Sequence, residues 1–258
     1  MISVYSLFSG SKGNSTLVIS GNTRILIDAG NNAKKIKEDL RVLDLTPGNI
    51  DAIFITHEHS DHIGALPVLV KSTDAAIHIT EPSLAKSRIE EGSPLYEALV
   101  VHEPEGYTVE IGNLSVTAVP VPHDSAACMA YVIKDDSGDS FAICTDMGYV
   151  TKKLASEVIG VRQAIIEANH SEKMLIEGPY PQPLKKRILG RTGHLSNDTA
   201  ALFAAYLAGN GAEKIMLGHI SEVNNTPECA YETVHNRLIQ EGLSPKLTVA
   251  SQYEIKSL

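Results

Sequence analysis

The chain has 258 residues, 43% of them hydrophobic, enough for one sizeable core and for one large α/β domain over residues 1–258 rather than two small ones. No apolar run approaches the length of a bilayer span, which argues against a membrane protein, and the ordinary hydrophobic content argues against disorder. A net charge of −9 argues against broad, nonspecific contact with a nucleic-acid backbone, a conclusion softened if some carboxylates sit against bound cations.

The N-terminus, Met1-Ile2-Ser3-Val4, has no basic start and no cleavage pattern and reads as a first strand. Strands are expected at 2–8, 15–20 and 24–28, with turns at Ser9 to Asn14 and at Gly21-Asn22. A helix at 33–43 ends near Pro47-Gly48, followed by a buried strand at 52–55, a helix at 63–71, a strand at 76–79 and a helix at 82–91 closed by Gly92. Strands near 107–111, 114–121, 130–135 and 140–145 follow. Beyond them come a helix at 151–159, a strand at 163–167, and two short helices within 170–190. The last elements are a helix at 196–208 capped by Ser196 or Asn197, a strand at 214–217, a helix at 227–241 and a strand at 247–250. Two successive halves of strands with outer helices imply two packed sheets with helices outside. Cys128, Cys144 and Cys229 are odd in number and far apart, which argues against a disulfide framework and a structural zinc site and makes a cytoplasmic location the simplest inference.

The chemistry is concentrated where the apolar run Ala52-Ile53-Phe54-Ile55 ends in Thr56-His57-Glu58-His59-Ser60-Asp61-His62. Three histidines and two carboxylates in six residues would be costly to pack without a metal, because nothing else offsets their desolvation. The helical zinc-protease spacing fails, since Asp61 stands where a histidine is needed. What remains, His-x-His-x-Asp-His, can serve two metals from one loop. Other polar residues also follow apolar strands: Asp28, His123, Asp146 and His219. Ligands at the carboxyl ends of strands are the usual placement in layered α/β folds. His57, His59 and His123 could form a three-imidazole site with an open position for water.

The spacing resembles the metallo-β-lactamase superfamily, with Asp28 matching its first motif, His57 to His62 its second, and His123, Asp146 and His219 the rest. The resemblance implies a four-layer αββα sandwich. It implies that His57, His59 and His123 hold one metal, that Asp61, His62 and His219 hold the other, that Asp146 bridges them, and that Asp28 orients the ligand loop from behind. Ser9 to Ser15, Asp28-Ala29-Gly30, Gly193-His194-Leu195-Ser196-Asn197 and Gly218 to Pro227 are similar to the YycJ/WalJ-type branch, bacterial hydrolases regarded as nucleases. Gly193-His194 ahead of a helix also resembles the transfer-RNA 3′-processing ribonucleases, where the equivalent histidine protonates the leaving oxygen. No segment resembles their substrate arm, and too few residues lie between Gly148 and Leu195 for an inserted domain.

The expected mechanism is a two-metal hydrolysis: a hydroxide between two divalent cations, zinc or manganese, attacks phosphorus, and His194 acts as general acid. Asp61 counts as catalytic as well as ligating. The expected function is a phosphodiesterase acting on nucleic acid, an exonuclease with DNA weakly favoured over RNA. The alternative is hydrolysis of a small substrate: a cyclic or phosphonate phosphodiester, a lactone or a thioester. A metal-dependent binding protein without turnover is the reading from another class, and an open metal position plus a proton donor argues against it. Weaker candidates are Ser11 and Asn14, in a loop with the donors for a phosphate cradle. His170 follows a strand, and Lys185 and Arg187 belong, with Lys186 and Arg191, to the one basic cluster. Against these stand a plain hairpin turn, a helix N-terminal residue and a solvated helix face, respectively. His78, His102 and His235 sit in no motif and read as structural or surface residues.

Overall fold

The computed structural model describes residues 1–258 as two seven-stranded sheets packed face to face, with helices outside both. The strands are β1 (Ile2–Phe8), β2 (Ser15–Ser20), β3 (Thr23–Ile27), β4 (Ala52–Phe54), β5 (Ala76–Thr80), β6 (Leu99–His102), β7 (Tyr107–Ile111), β8 (Leu114–Val121), β9 (Cys128–Asp135), β10 (Ser140–Cys144), β11 (Gln163–Glu167), β12 (Lys214–Gly218), β13 (Lys246–Val249) and β14 (Lys256–Ser257). The first sheet runs β14-β1-β2-β3-β4-β5-β6 and the second β13-β12-β11-β10-β9-β8-β7. Each sheet has an antiparallel half (β1 to β3, β7 to β10) that continues into parallel strands (β3 to β6, β10 to β13). The αββα sandwich expected from the resemblance is the observed architecture.

Period-2 alternation sorts the strand residues between layers. Ile25 and Ile27 of β3 and Phe54 of β4 face the opposite sheet, where they meet Tyr131, Phe141 and Met216. Leu26 and Ile53 point the other way, against the helix Ala33–Val42. In the second sheet Ala130, Val132, Ala142 and Ile166 face the helix Asn197–Gly209. Three contiguous cores therefore hold four layers together. Buried apolar side chains of this size contribute about 1.5–3 kcal/mol each. No helix is long and apolar enough to cross a membrane. The three cysteines are free.

Several boundaries differ from the sequence expectation for identifiable reasons. The helix expected at 63–71 starts earlier and is broken into Ser60–Ile63 and Leu66–Leu69, because the Ala65 N–H leaves the helical ladder and donates to Ala29 O (2.8 Å). The helix expected at 82–91 stops at Lys86: Ser87 is extended and its hydroxyl donates to Leu84 O (2.8 Å), a local bond that competes with the helix. The short helix Pro94–Glu97 and strands β6 and β14 were not expected; β6 and β14 are the two edges of the first sheet. Ser196, rather than Asn197, caps the helix Asn197–Gly209 by accepting from Thr199 N.

Candidate metal centre

The metal-type loop leaves β4 tied to both sheets. Ile55 N donates to His78 O (2.9 Å) in the first sheet, while the Tyr131 hydroxyl donates to Ile55 O (2.7 Å) and Met129 N to Thr56 O (3.0 Å) from the second. Below the loop, Asn14 N donates to Asp61 O (2.8 Å) and Gly30 N to Asn14 O (2.9 Å). Gly30 lies so close to Asp61 O that any side chain would overlap it. The backbone from 56 to 62 is thus held on three sides before any ligand is considered.

Within this frame the imidazoles are oriented through Nδ1. His57 Nδ1 is 3.0 Å from Thr56 Oγ1, His62 Nδ1 is 2.7 Å from Asp28 Oδ2, and His123 Nδ1 is 3.2 Å from Gly193 O. Asp28 itself accepts from Thr56 N (2.8 Å) and from the Thr56 hydroxyl. This is the arrangement that fixes the tautomer of metal-binding histidines and leaves Nε2 free to coordinate. The rings of His57, His59 and His123 form a triangle with centroids 4.5–5.2 Å apart. Asp146, fully buried, places Oδ2 2.9 Å from His219 Nδ1 and 3.5 Å from His62 Nε2, and Oδ1 4.0 Å from His123 Nε2. Burial would raise its pKa, but His219 and His62 beside it hold the carboxyl well below the usual carboxylate range. Asp61 Oδ2 stands 3.4 Å from His62 Nε2.

Asp28, Asp146 and His219 each lie just beyond a strand end with φ of 62°, 57° and 52°. The left-handed turn re-aims each side chain into the space between the sheets' ends. Asp and His enter this region more readily than β-branched residues do.

The donor chemistry fits divalent cations. The ligand atoms of His57, His59 and His123 lie within 4.8 Å of one another, as do those of His57, His62 and Asp146. His57 Nε2 is buried with no hydrogen-bond partner, and burial holds its imidazole well below its ordinary pKa, neutral and able to donate a lone pair. Cys128 Sγ is 3.8 Å from His57 Nδ1, on the side of the ring away from Nε2, and burial pushes its thiol pKa up.

A carboxylate–imidazole pair beside this cluster was half visible in the sequence. His194 Nδ1 is 2.6 Å from Glu167 Oε1, and Glu167 Oε2 accepts from Met147 N (3.2 Å) and Leu195 N (3.1 Å). Glu167 is fully buried at the end of β11, and sequence reasoning passed over it. Its oxygens also lie within metal-ligating reach of Asp146, His194 and His219, but both are already taken by these donors. Burial would depress the His194 imidazole; the Glu167 carboxylate overrides it and pushes the pKa up to about 9. His194 is positioned by Gly193, which packs directly on the carbonyls of Arg187 and Ile188 where no side chain fits. The His194 side chain is 18% exposed, and it lines a cleft of about 300 Å³ together with His59, Asp61, His123, Asp146 and His219.

The weaker candidates divide. Ser11 is exposed on the rim of this cleft, and Arg187 lines it while paired with Asp124. Asn14 is buried, with Nδ2 3.1 Å from His62 Nε2. His170 does not line the cleft; it is buried with both ring nitrogens unpartnered, and burial lowers its pKa to about 4. Lys185 leaves the basic cluster: it is buried and its ammonium donates to Ile176 O (2.6 Å), joining the helices Glu172–Glu177 and Gln182–Ile188. Arg191 lies over the Tyr149 ring, 4.9 Å from its centroid, and Lys186 is exposed. His78 and His102 face each other at 2.9 Å beneath Phe54, as structural residues.

Comparison with known proteins agrees with this geometry. The family model described as the beta-lactamase superfamily domain matches residues 23–220. The chain is 37% identical over 239 residues to the exodeoxyribonuclease WalJ of Streptococcus pneumoniae, covering 92% of this chain and 88% of that protein. It is 32% identical over 237 residues to the exodeoxyribonuclease YycJ of Bacillus anthracis, covering 92% and 89%. In fold it is similar to the metallo-beta-lactamase fold protein YhfI of Bacillus subtilis, with a TM-score of 0.73 at 15% identity over 100% of this chain and 99% of that one. On the matched family model, these relatives and the His-x-His-x-Asp-His loop at the strand ends, the chain belongs to the metallo-β-lactamase superfamily.

Proposed function

We propose that the chain is a di-metal phosphodiesterase that degrades nucleic acid from an end, with DNA favoured. The observation that carries this reading is the His194–Glu167 pair beside the ligand cluster: a buried carboxylate holds a partly exposed imidazole protonated at the edge of the cleft. Such a group is what departure of a strongly basic alkoxide requires and what a plain metal-binding protein has no use for. The names of the relatives from Streptococcus pneumoniae and Bacillus anthracis, both exodeoxyribonucleases, support DNA as the substrate.

His57, His59 and His123 would hold one cation and Asp61, His62 and His219 the other, with Asp146 between them. The all-nitrogen-and-oxygen donor set suits zinc and manganese alike. Bound there, two divalent cations activate water and offset the charge of the phosphate oxygens. The chain's own residues supply the rest. Asp28 holds the His62 proton on Nδ1, so Nε2 keeps its lone pair. Glu167 keeps the His194 Nδ1 proton in place, so the imidazolium presents Nε2–H to the leaving oxygen. Ser11 and Arg187 stand on the rim where a phosphate would enter.

The test is a panel on the purified, metal-loaded protein: end-labelled DNA and RNA, bis(p-nitrophenyl) phosphate, a lactone and a thioester. A ladder of shortened DNA products is expected, lost together with metal content in His59→Ala. Rapid turnover of the lactone or thioester with DNA left intact would replace this reading with the small-substrate one.

A further inference from the structure

A second concavity is a neighbour of the metal cleft. About 860 Å³ in volume, it lies between the segment that follows the metal loop and the stretch 86–95, and His59 lines both spaces. This volume is within the range of sites that enclose a whole ligand. One wall continues directly from the ligand residues through Ser60, Ile63 and Gly64; the other is formed where the helix Glu81–Lys86 ends and the chain passes through an irregular stretch into the helix Pro94–Glu97. The floor is aliphatic, with Ile63, Leu66, Val70, Ile89 and Leu95.

The rim is cationic in an otherwise acidic protein. Lys71, Lys86 and Arg88 are exposed there, and none takes part in an ion pair. Two acidic residues share the lining. Glu58 is held in place, accepting from Ala126 N (2.8 Å) and from the Ser83 hydroxyl (2.9 Å), while Glu90 is exposed. Three cations against two carboxylates, over an aliphatic floor, complement a flexible polyanion with apolar faces.

We propose that this groove holds the unpaired nucleotides of the substrate strand next to the bond cleaved in the metal cleft. Phosphates lie against Lys71, Lys86 and Arg88, and sugars and bases over Ile63, Val70 and Ile89. The inference rests on the nucleic-acid reading of the metal centre. No Phe, Tyr or Trp lines the groove, and His59 stands only at its border with the metal cleft, so its grip on the strand is sequence-tolerant and dominated by phosphate contacts.

The experiment compares the native protein with Lys71→Ala/Lys86→Ala/Arg88→Ala and with a control of equal charge change away from the groove, Lys134→Ala/Lys173→Ala/Lys246→Ala, at positions that are also exposed. Binding of fluorescein-labelled hexathymidylate is followed by anisotropy in EDTA, and turnover of the same strand and of bis(p-nitrophenyl) phosphate in metal. Releasing three counterions predicts that the groove variant binds the strand about ten- to a hundredfold more weakly at 0.1 M salt, with the log–log salt slope shallower by about 2. The small reporter is expected to be hydrolysed at an unchanged rate and the control to bind like the native protein. Unchanged binding, equal loss in the control, parallel loss on the small reporter, or displacement of the strand by polyglutamate as readily as by polythymidylate would each overturn the groove. A native protein that binds the strand but never cleaves it removes the nuclease reading and leaves the groove. One that cleaves it equally well in all three forms removes the groove and leaves the nuclease.

Discussion

Replacing Glu167 with glutamine tests the acid role of His194 with the least change in shape. In the native protein Oε2 of Glu167 accepts from two backbone N–H groups and Oε1 faces His194 Nδ1 at 2.6 Å. In Glu167→Gln the amide oxygen is retained by the two backbone donors, so the NH₂ group is turned toward His194. Nδ1 must then accept, and the imidazolium, which donates from both nitrogens, meets a donor instead of a carboxylate. A hydrogen bond to a charged group is worth about 1.5–3 kcal/mol, which corresponds to about 1–2 pKa units of imidazole stabilisation lost. His194 is held raised, to about 9, so its proton, and with it acid catalysis, persists into alkaline solution and is lost as pH rises through that value. The variant's alkaline limb is therefore expected at lower pH by about 1–2 units. Cations bound nearby pull down both forms, so the displacement between the two profiles is the measured quantity. At pH 9 the protonated fraction of His194 then falls from about one half to about 1–10%, so kcat on an end-labelled DNA strand is expected to fall about 5–50-fold. Turnover of bis(p-nitrophenyl) phosphate, whose leaving group needs no proton, should change little. Equal slowing of both substrates with no displacement of the pH profile would refute the acid role and leave Glu167 as a structural carboxylate.

Two further outcomes follow from contacts behind the site. Asp28→Asn presents an amide to His62 Nδ1, which shifts the ring proton to the coordinating Nε2; metal affinity, read by competition with a chromogenic chelator, should drop about 10–100-fold, and an unchanged affinity would refute the tautomer argument. Lys185→Met leaves the Ile176 carbonyl without its buried donor and should cost about 1–3 kcal/mol, lowering Tm by a few degrees while the salt dependence of DNA binding stays native. A shallower salt slope with an unchanged Tm would return Lys185 to the phosphate-contact role.

The metal loop was legible because its donors are contiguous and an all-apolar strand precedes them, so spacing alone excluded the zinc-protease alternative. His123, Asp146 and His219 were legible through a shared position after apolar strands. Glu167 satisfies that criterion too, since it ends the buried strand β11, yet a single carboxylate with no motif around it gave no reason to separate it from a surface residue. The two-sheet architecture followed from periodicity, whereas the broken helix after the loop did not. The break is imposed by a tertiary bond, Ala65 N to Ala29 O, between segments more than thirty residues apart. Lys185 read as part of a charged helix face because nothing local shows that its stem points inward to a carbonyl of the preceding helix. The nucleic-acid groove was invisible for a similar reason, since its cations are scattered between 71 and 88 and only the early end of the helix Glu81–Lys86 brings them to one rim.

The left-handed backbone at Asp28 and Asp146 makes catalysis and architecture separable by very small steps. Asparagine tolerates that conformation as well as aspartate does and has nearly the same outline, so one oxygen exchanged for an NH₂ at either position removes charge from the centre without asking the chain to refold. A β-branched residue there would add backbone strain to the loss of the carboxylate. A descendant of this fold can therefore lose its metal chemistry through a single amide substitution while keeping its sheets, its cleft and its cationic groove intact. The distance between a nuclease and a catalytically silent nucleic-acid-binding protein on this scaffold is one side-chain atom.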